Sequence, residues 1–240
     1  LVFFINGTNL PGNGAYYTST LLHESTHMIN FYQRTVARGT VHDTWLEVSS
    51  AMMTEDIVAP AVNAGYSTLP IRIDAYLRSG GGVSYITWPR QVSNNSYGMG
   101  GSFGAFLDRR YGLAIYQQLV TSCNDGSGGT SYACLDTLIR QNSGSGFADE
   151  LARAGASVFA ALSDHDLPWG LGYADTIAGA YELPGFDLSA LTSLRPAPAT
   201  ALDGGYTATT QTYQVDTGSG TYERDNVVVP AQTTLLVVVH

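Results

Sequence analysis

The stretch that most constrains this chain is His23-Glu24-Ser25-Thr26-His27, set in a run from Tyr16 to Ala37 free of Gly and Pro. Such a run predicts a helix over residues 16–38, closed by Gly39 just past its end. Residues four apart lie one turn above the other on the same helical face. His23 and His27 therefore point the same way, and both imidazoles can take one metal ion. Glu24, on the rim of that face, can reach a water beside the metal without being a ligand. These residue types at this spacing are the two-histidine half of a catalytic zinc site with its general base. The plainer reading is two polar histidines on the exposed side of an ordinary helix. Leu21, Leu22, Met28, Ile29 and Phe31 surround the motif and argue for a buried setting instead. Thr18, Ser19 and Thr20 are candidate N-caps or first-turn residues.

Composition sets the limits. A chain of 240 residues suits one large domain, or one with a small companion, and 44% hydrophobic residues supply a core. Only 13% are charged, the eleven basic residues are all Arg, and the net charge is −9. Phosphate contacts need clustered Lys or Arg, so nucleic acid is not an expected partner. No apolar run is long enough to span a bilayer. The Gly, Ser, Thr, Asn and Tyr content reads as an extracellular surface. Cys123 and Cys134 flank a polar loop and can close a short disulfide, which implies an oxidising compartment. Metal ligation by the pair, or two buried thiols, are the rival readings. The chain is expected to be secreted or displayed at the cell surface. Leu1 starts directly in a strand-like run with no charged n-region or cleavage site, so the chain reads as a processed piece of a longer protein.

Further along, Leu1–Ile5 reads as a strand able to wall a cleft above the motif helix. A second helix is expected from about Asp43 to Ala59, ending before Pro60, with Asp43 or Thr44 as its cap. Trp45, Val48 and Met52 form its core-facing stripe, and Glu47 lies on a flank that can look into a site. Residues 61–82 read as loop-rich, and Val83–Trp88 as a short strand. Helices follow at Tyr97–Tyr111, Leu113–Ser122, Cys134–Gln141 and Phe147–Ala161. Gly98, Gly100, Gly101 and Gly104 weaken the first of these but let another backbone come close. After about Pro184 the composition turns to Leu, Ser, Thr, Tyr and Val, with strands expected at Tyr206–Val215, Tyr222–Val229 and Thr233–Val239. The expected fold is α+β. A mainly helical zincin-like catalytic domain with a short β-strand wall covers residues 1–185, and a small β-rich module covers 186–240.

A catalytic zinc needs a third protein ligand. Glu47, 20 positions past His27 on a separate capped helix, is the candidate. Glu55 is the reserve and His42, in the connection, a third choice. Asp56 and Glu55 can instead orient the metal-binding histidines. Tyr97 and His165, the latter flanked by Asp164 and Asp166, are candidate donors to a developing oxyanion. Tyr97 as a packing aromatic and Asp164-His165-Asp166 as a solvated turn are the simpler alternatives. Structural Ca²⁺ is possible at the acidic loop spots Asn124-Asp125 and Asp164/Asp166, which form no recognisable site.

Tyr17 through Phe31 with its His-Glu-x-x-His core, then Trp45-Leu46-Glu47 and Met52-Met53-Thr54-Glu55-Asp56, resembles the hyicolysin family of bacterial metallopeptidases, within the broader gluzincin group. Leu1–Ile5, Tyr97–Phe103 with Arg110-Tyr111-Gly112, and Val228–Leu235 extend the likeness over most of the chain. The resemblance implies a zinc site of two His and one Glu, and a protein or peptide substrate. Peptidases that continue the motif with Gly and a third His are excluded, because Asn30 and Gln33 stand there. Gluzincins often place the ligand three positions after Trp, where this chain has Val48. A one-residue shift turns a helical side chain by about 100°. The alternative function is therefore an inactive, peptidase-like surface or binding module without its third ligand.

Overall fold

The computed structural model describes residues 2, 8, 11–79, 83–89, 93–123, 130–161, 168–172, 175–188, 190–191, 229 and 231–237. Helices dominate: α1 (Gly14–Asn30), α2 (Thr44–Val62), α3 (Leu69–Arg78), α4 (Asn94–Tyr111), α5 (Leu113–Thr121), α6 (Ser131–Gln141) and α7 (Phe147–Ala160). Two three-residue strands, β1 (Thr176–Ala178) and β2 (Tyr181–Leu183), pair antiparallel with Ile177 opposite Glu182. The expected mainly helical α+β architecture is observed. The strand expected at Leu1–Ile5, those at Tyr206–Val215 and Tyr222–Val229, and His165 lie outside the described residues, save Val2 and Val229 as single positions. Of Thr233–Val239, residues 233–237 are described and form no strand.

α1 starts at Gly14, earlier than expected, so Thr18 and Thr20 are internal rather than caps. Their hydroxyls donate back to the carbonyls of Gly14 and Tyr16. This bonding keeps short polar side chains inside a helix without stranding them. Past Asn30 the helix widens into a π-helical turn, Phe31–Val36. Arg34, 1% exposed, sits in that turn and donates from Nη1 to the carbonyls of Leu119 (2.8 Å) and Cys123 (2.9 Å). The end of the motif helix is thereby tied to the C-terminus of α5. Gly39 closes the segment at φ +69°, a conformation that costs glycine little.

α2 is the central helix. Its residues are buried on nearly all sides, from Trp45 to Ala59, as expected of a helix enclosed by others. It runs through Pro60 to Val62 instead of ending before the proline. The bond that Pro60 cannot donate falls in the last turn, where its loss interrupts little. Trp45, Tyr85, Phe103 and Phe147 form an aromatic knot: ring centroids lie 5.0 Å (Trp45–Tyr85), 4.9 Å (Tyr85–Phe103) and 5.6 Å (Phe103–Phe147) apart, all edge to face. That is the favoured arrangement for aromatic quadrupoles.

Two expectations fail between α2 and α4. Residues 61–82 are not mainly loop, because α3 occupies Leu69–Arg78 with Pro70 in its first turn. Leu69, Ile73, Tyr76 and Leu77 are its buried face. Val83–Trp88 is not a strand. Tyr85 turns into the aromatic knot and Trp88 meets Tyr97 at 5.3 Å, so packing rather than a ladder uses these aromatics. The α4 glycines act as expected. A Cβ at Gly98 would stand 2.7 Å from the Tyr76 nitrogen and 2.8 Å from the Ala75 Cβ, so α3 and α4 meet at backbone distance. Cys123 and Cys134 are joined in a disulfide with Cα atoms 5.7 Å apart. β2 rests on α2, where Ile57, Ala178 and Leu183 share a small core.

Candidate metal centre

The motif helix is amphipathic in the unexpected sense. Its buried residues are Ser19, His23, Thr26 and Asn30, all polar, while Ile29 and Phe31 are 49% and 50% exposed. The apolar neighbours of the motif therefore do not bury it. A buried polar face is costly unless its groups are bonded, and here α2 supplies the partners. The pairs run antiparallel: Ser19 and His23 meet Glu55, Thr26 meets Thr54 at 2.7 Å, and Asn30 meets Ser50 at 3.0 Å and Glu47 at 3.1 Å. Glu47, Ser50, Thr54 and Glu55 recur at helical spacing and form one polar stripe on α2.

Both motif histidines belong to this seam. Their rings lie 4.9 Å apart between centroids, at 77° to each other. His23 Nδ1 donates to Glu55 Oε1 at 2.6 Å. Glu55, its side chain 5% exposed, also accepts from Ser19 Oγ (3.2 Å) and from Arg72 Nη2, at 3.0 Å to Oε2 and 3.3 Å to Oε1. Burial pushes the Glu55 carboxyl up, but the His23 bond and the Arg72 charge outweigh it and hold the group below its usual range. An ionised carboxylate only accepts, so the proton of the His23 bond sits on Nδ1. The lone pair is then on Nε2, the nitrogen left for a metal. Carboxylates fix ligating histidines in this way at metal sites.

His27 repeats the arrangement. Its Nδ1 donates to Glu47 Oε1 at 3.0 Å, while Asn30 Nδ2 donates to Glu47 Oε2. The Glu47 bond raises the His27 pKa. Burial opposes the rise, and the charges of Glu47 and Glu24 add to it. Glu24 is exposed on the neighbouring rim.

The other expected residues divide. Tyr97, half-buried at the start of α4, has its ring centroid 6.4 Å from that of His23, and Arg72 lies over the same ring at 5.5 Å. Asp56 does not orient a histidine. It forms a buried pair with Arg109, whose Nη2 reaches its Oδ1 at 3.3 Å. His42 is buried in the connection. Among the described residues no three His, Cys, Asp or Glu side chains are gathered so as to hold one metal ion. The histidine pair thus has the donor chemistry a divalent metal needs, in two nitrogens with their tautomers set. Glu47 stands beside His27 as a hydrogen-bond acceptor. Ser19, Asn30 and Arg72 complete the site and were not anticipated as parts of it. Ser19 and Asn30 share the 3.6-residue stripe of the histidines, which is the signal that identifies them. Arg72 gave none while its segment read as loop.

No curated protein matches the chain. The family model described as Peptidase M30, which is the hyicolysin family, matches residues 11–240. That span holds the motif helix, its carboxylate partners on α2 and the Gly-rich α4, and the chain belongs to the peptidase M30 family.

Proposed function

We propose that this chain is a zinc-dependent endopeptidase acting outside the cell. The observation that carries the proposal is the matched pair of bonds from His23 and His27 to two carboxylates of α2. The His23 bond, which ligation leaves in place, reserves one ring nitrogen for a metal, and the His27 bond holds that ring against Glu47. Glu47 is the proposed third ligand, in preference to Glu55. The Glu55 oxygens are committed to His23, Ser19 and Arg72 and its side chain is 5% exposed, whereas the Glu47 side chain is 25% exposed. Ligation asks Glu47 to give up its bond to His27. Zinc bound there supplies Lewis acidity to a substrate carbonyl and makes a nearby water more acidic. Glu24, exposed beside the pair, accepts the proton of the attacking water and delivers it to the leaving amine. Tyr97, facing the His23 side, is the proposed donor to the developing oxyanion, with His165 as the other candidate. The disulfide and the Lys-free composition support an extracellular setting.

Hydrolysis of a casein or peptide substrate, with and without a chelator and in Glu24→Gln, tests the mechanism. The expected result is turnover lost in both cases. Chelator-insensitive hydrolysis that survives Glu24→Gln rules it out. A second reading, a non-catalytic module on a peptidase scaffold, is favoured by one observation: no three-residue metal group stands among the described residues. A folded protein that refuses zinc selects this reading.

A further inference from the structure

We infer that Arg72 is a positioning residue for His23, acting through Glu55; the inference rests on the metal-site reading above. Arg72 comes from α3, a helix that carries neither motif histidine. Its guanidinium nevertheless closes the chain of contacts that ends at His23. Nη2 donates to both Glu55 oxygens, and Glu55 Oε1 receives the His23 Nδ1 proton.

The path of the side chain is built into α4. Its carbon stem crosses Gly101, where an added Cβ would lie 2.7 Å from Arg72 Cγ, 3.0 Å from Cδ and 3.1 Å from Cβ. One turn earlier on the same helix, the Tyr97 ring lies under the guanidinium, 5.5 Å from centroid to Cζ. A glycine and an aromatic ring four residues apart thus form a bed of the right length for an extended arginine. The Nε atom is buried in this bed without a hydrogen bond. The geometry therefore favours the Nη2 contact with Glu55 over maximal bonding of the guanidinium.

The consequence is orientational. Without Arg72, Glu55 keeps Ser19 and His23 but loses the donor that spans both its oxygens, so the carboxylate can rotate. The His23 ring then has no fixed acceptor holding its proton on Nδ1, and Nε2 is no longer reserved. Lysine at position 72 restores a charge but not a flat group that lies on Tyr97 while reaching Glu55.

The test uses the full chain in three variants: Arg72→Gln, Arg72→Lys and Gly101→Ala, the last displacing the arginine without removing it. Two readouts are taken beside circular dichroism. One is the zinc dissociation constant by chelator competition. The other is the His23 tautomer in metal-free protein, read from imidazole ¹⁵N–¹H correlations. Arg72→Gln should retain helicity, weaken zinc about 10- to 100-fold, and mix the His23 tautomers. Arg72→Lys should recover part of the affinity, and Gly101→Ala should shift both readouts the same way by less. Zinc affinity within twofold of wild type and an unchanged tautomer in Arg72→Gln overturn the inference, as does the same null result in Gly101→Ala should Arg72→Gln not fold. Wild-type protein that binds no zinc removes the metal-site reading instead, and the tautomer comparison then decides the inference alone.

Discussion

Replacing Glu55 by glutamine changes the seam between α1 and α2 at its most heavily bonded point. The carboxylate accepts from His23 Nδ1 at 2.6 Å, Arg72 Nη2 at 3.0 Å and Ser19 Oγ at 3.2 Å, with only 5% of its side chain exposed. The amide is the same size, so no cavity opens. It has one acceptor oxygen instead of two, and its NH₂ must face a donor. A hydrogen bond to a charged group contributes about 1.5–3 kcal/mol, and breaking a buried ion pair costs about 3–5 kcal/mol. The Arg72 side chain is 22% exposed, so water offsets part of its loss. The variant should therefore be destabilised by about 3 kcal/mol at neutral pH, at the lower end of the buried-pair range. The pH dependence is a sharper mark. The folded-state pKa of Glu55 lies below its ordinary 4.5. A depressed carboxyl contributes stability that is present above the unfolded value and lost as pH falls through the folded one. Glutamine does not titrate. The gap between wild type and variant should be widest above pH 4.5 and narrow in acid, where a protonated Glu55 resembles the amide. Urea unfolding in excess chelator, followed by circular dichroism from pH 3 to 8, measures the gap without metal. A difference under about 1 kcal/mol, or one that does not change with pH, would refute the account of Glu55.

Three further outcomes follow from the same structure. The His27 pKa is raised by its bond to Glu47, so its part in stability is present below 6.5 and is lost as pH rises through the elevated folded value; chelator-treated Glu47→Gln should lose this dependence in urea titrations. Gly98→Val places a Cβ 2.7 Å from the Tyr76 nitrogen and 2.8 Å from the Ala75 Cβ, neither of which can swing away, so thermal melting should report a loss of at least about 2 kcal/mol. Cys123→Ser with Cys134→Ser removes a link across a sequence separation of 11 and should cost about 3 kcal/mol by chain entropy, read as a lower urea midpoint against the oxidised protein.

The two helices of the seam were legible because period 3.6 governs polar residues as it governs apolar ones. His23 and His27 give the face of α1, and Trp45, Val48 and Met52 give α2 with Glu47 on its flank, while the structure adds Ser50 and Thr54 to the polar side. What misled was the usual equation of apolar with buried. Leu21, Leu22 and Ile29 suggested an enclosed motif, yet the enclosed residues are the polar ones. α3 carried its signals openly: Pro70 near its start, then Leu69, Ile73, Tyr76 and Leu77 at helical spacing. With residues 61–82 read as loop-rich, Arg72 has no helical face on which to be placed. The opposite error occurred at Val83–Trp88, where β-branched and aromatic residues looked like a strand. β-propensity measures fit to a pleated, half-buried surface, and among the described residues no neighbouring strand supplies one. The π-helical turn at Phe31–Val36 had no local signal, since its anchor is the tertiary bonding of Arg34 to α5. β1 and β2, at three residues each, are too short for alternation to show.

The inverted polarity of α1 bears on function more directly than the motif does. A helix kept only for stability would bury Ile29 and expose His23 and Asn30, because apolar burial contributes about 25 cal/mol per Å² while a buried polar group at best recovers its lost hydration. This chain does the reverse and then matches each buried polar side chain on α1 with one on α2. Such a network gives orientation rather than strength: its donors and acceptors admit one register, and a slip of one residue leaves several unsatisfied at once. Orientation is what a histidine pair needs if both Nε2 atoms are to face one ion. Exchanging the polar seam for apolar residues, as in Ser19→Ala, Thr26→Val, Ser50→Ala and Thr54→Val together, should therefore leave stability within about 2 kcal/mol of wild type while weakening zinc binding measured by chelator competition. If such a protein bound zinc as tightly as wild type, the buried polar face would be a stability feature after all, and the link from the seam to the metal would fail.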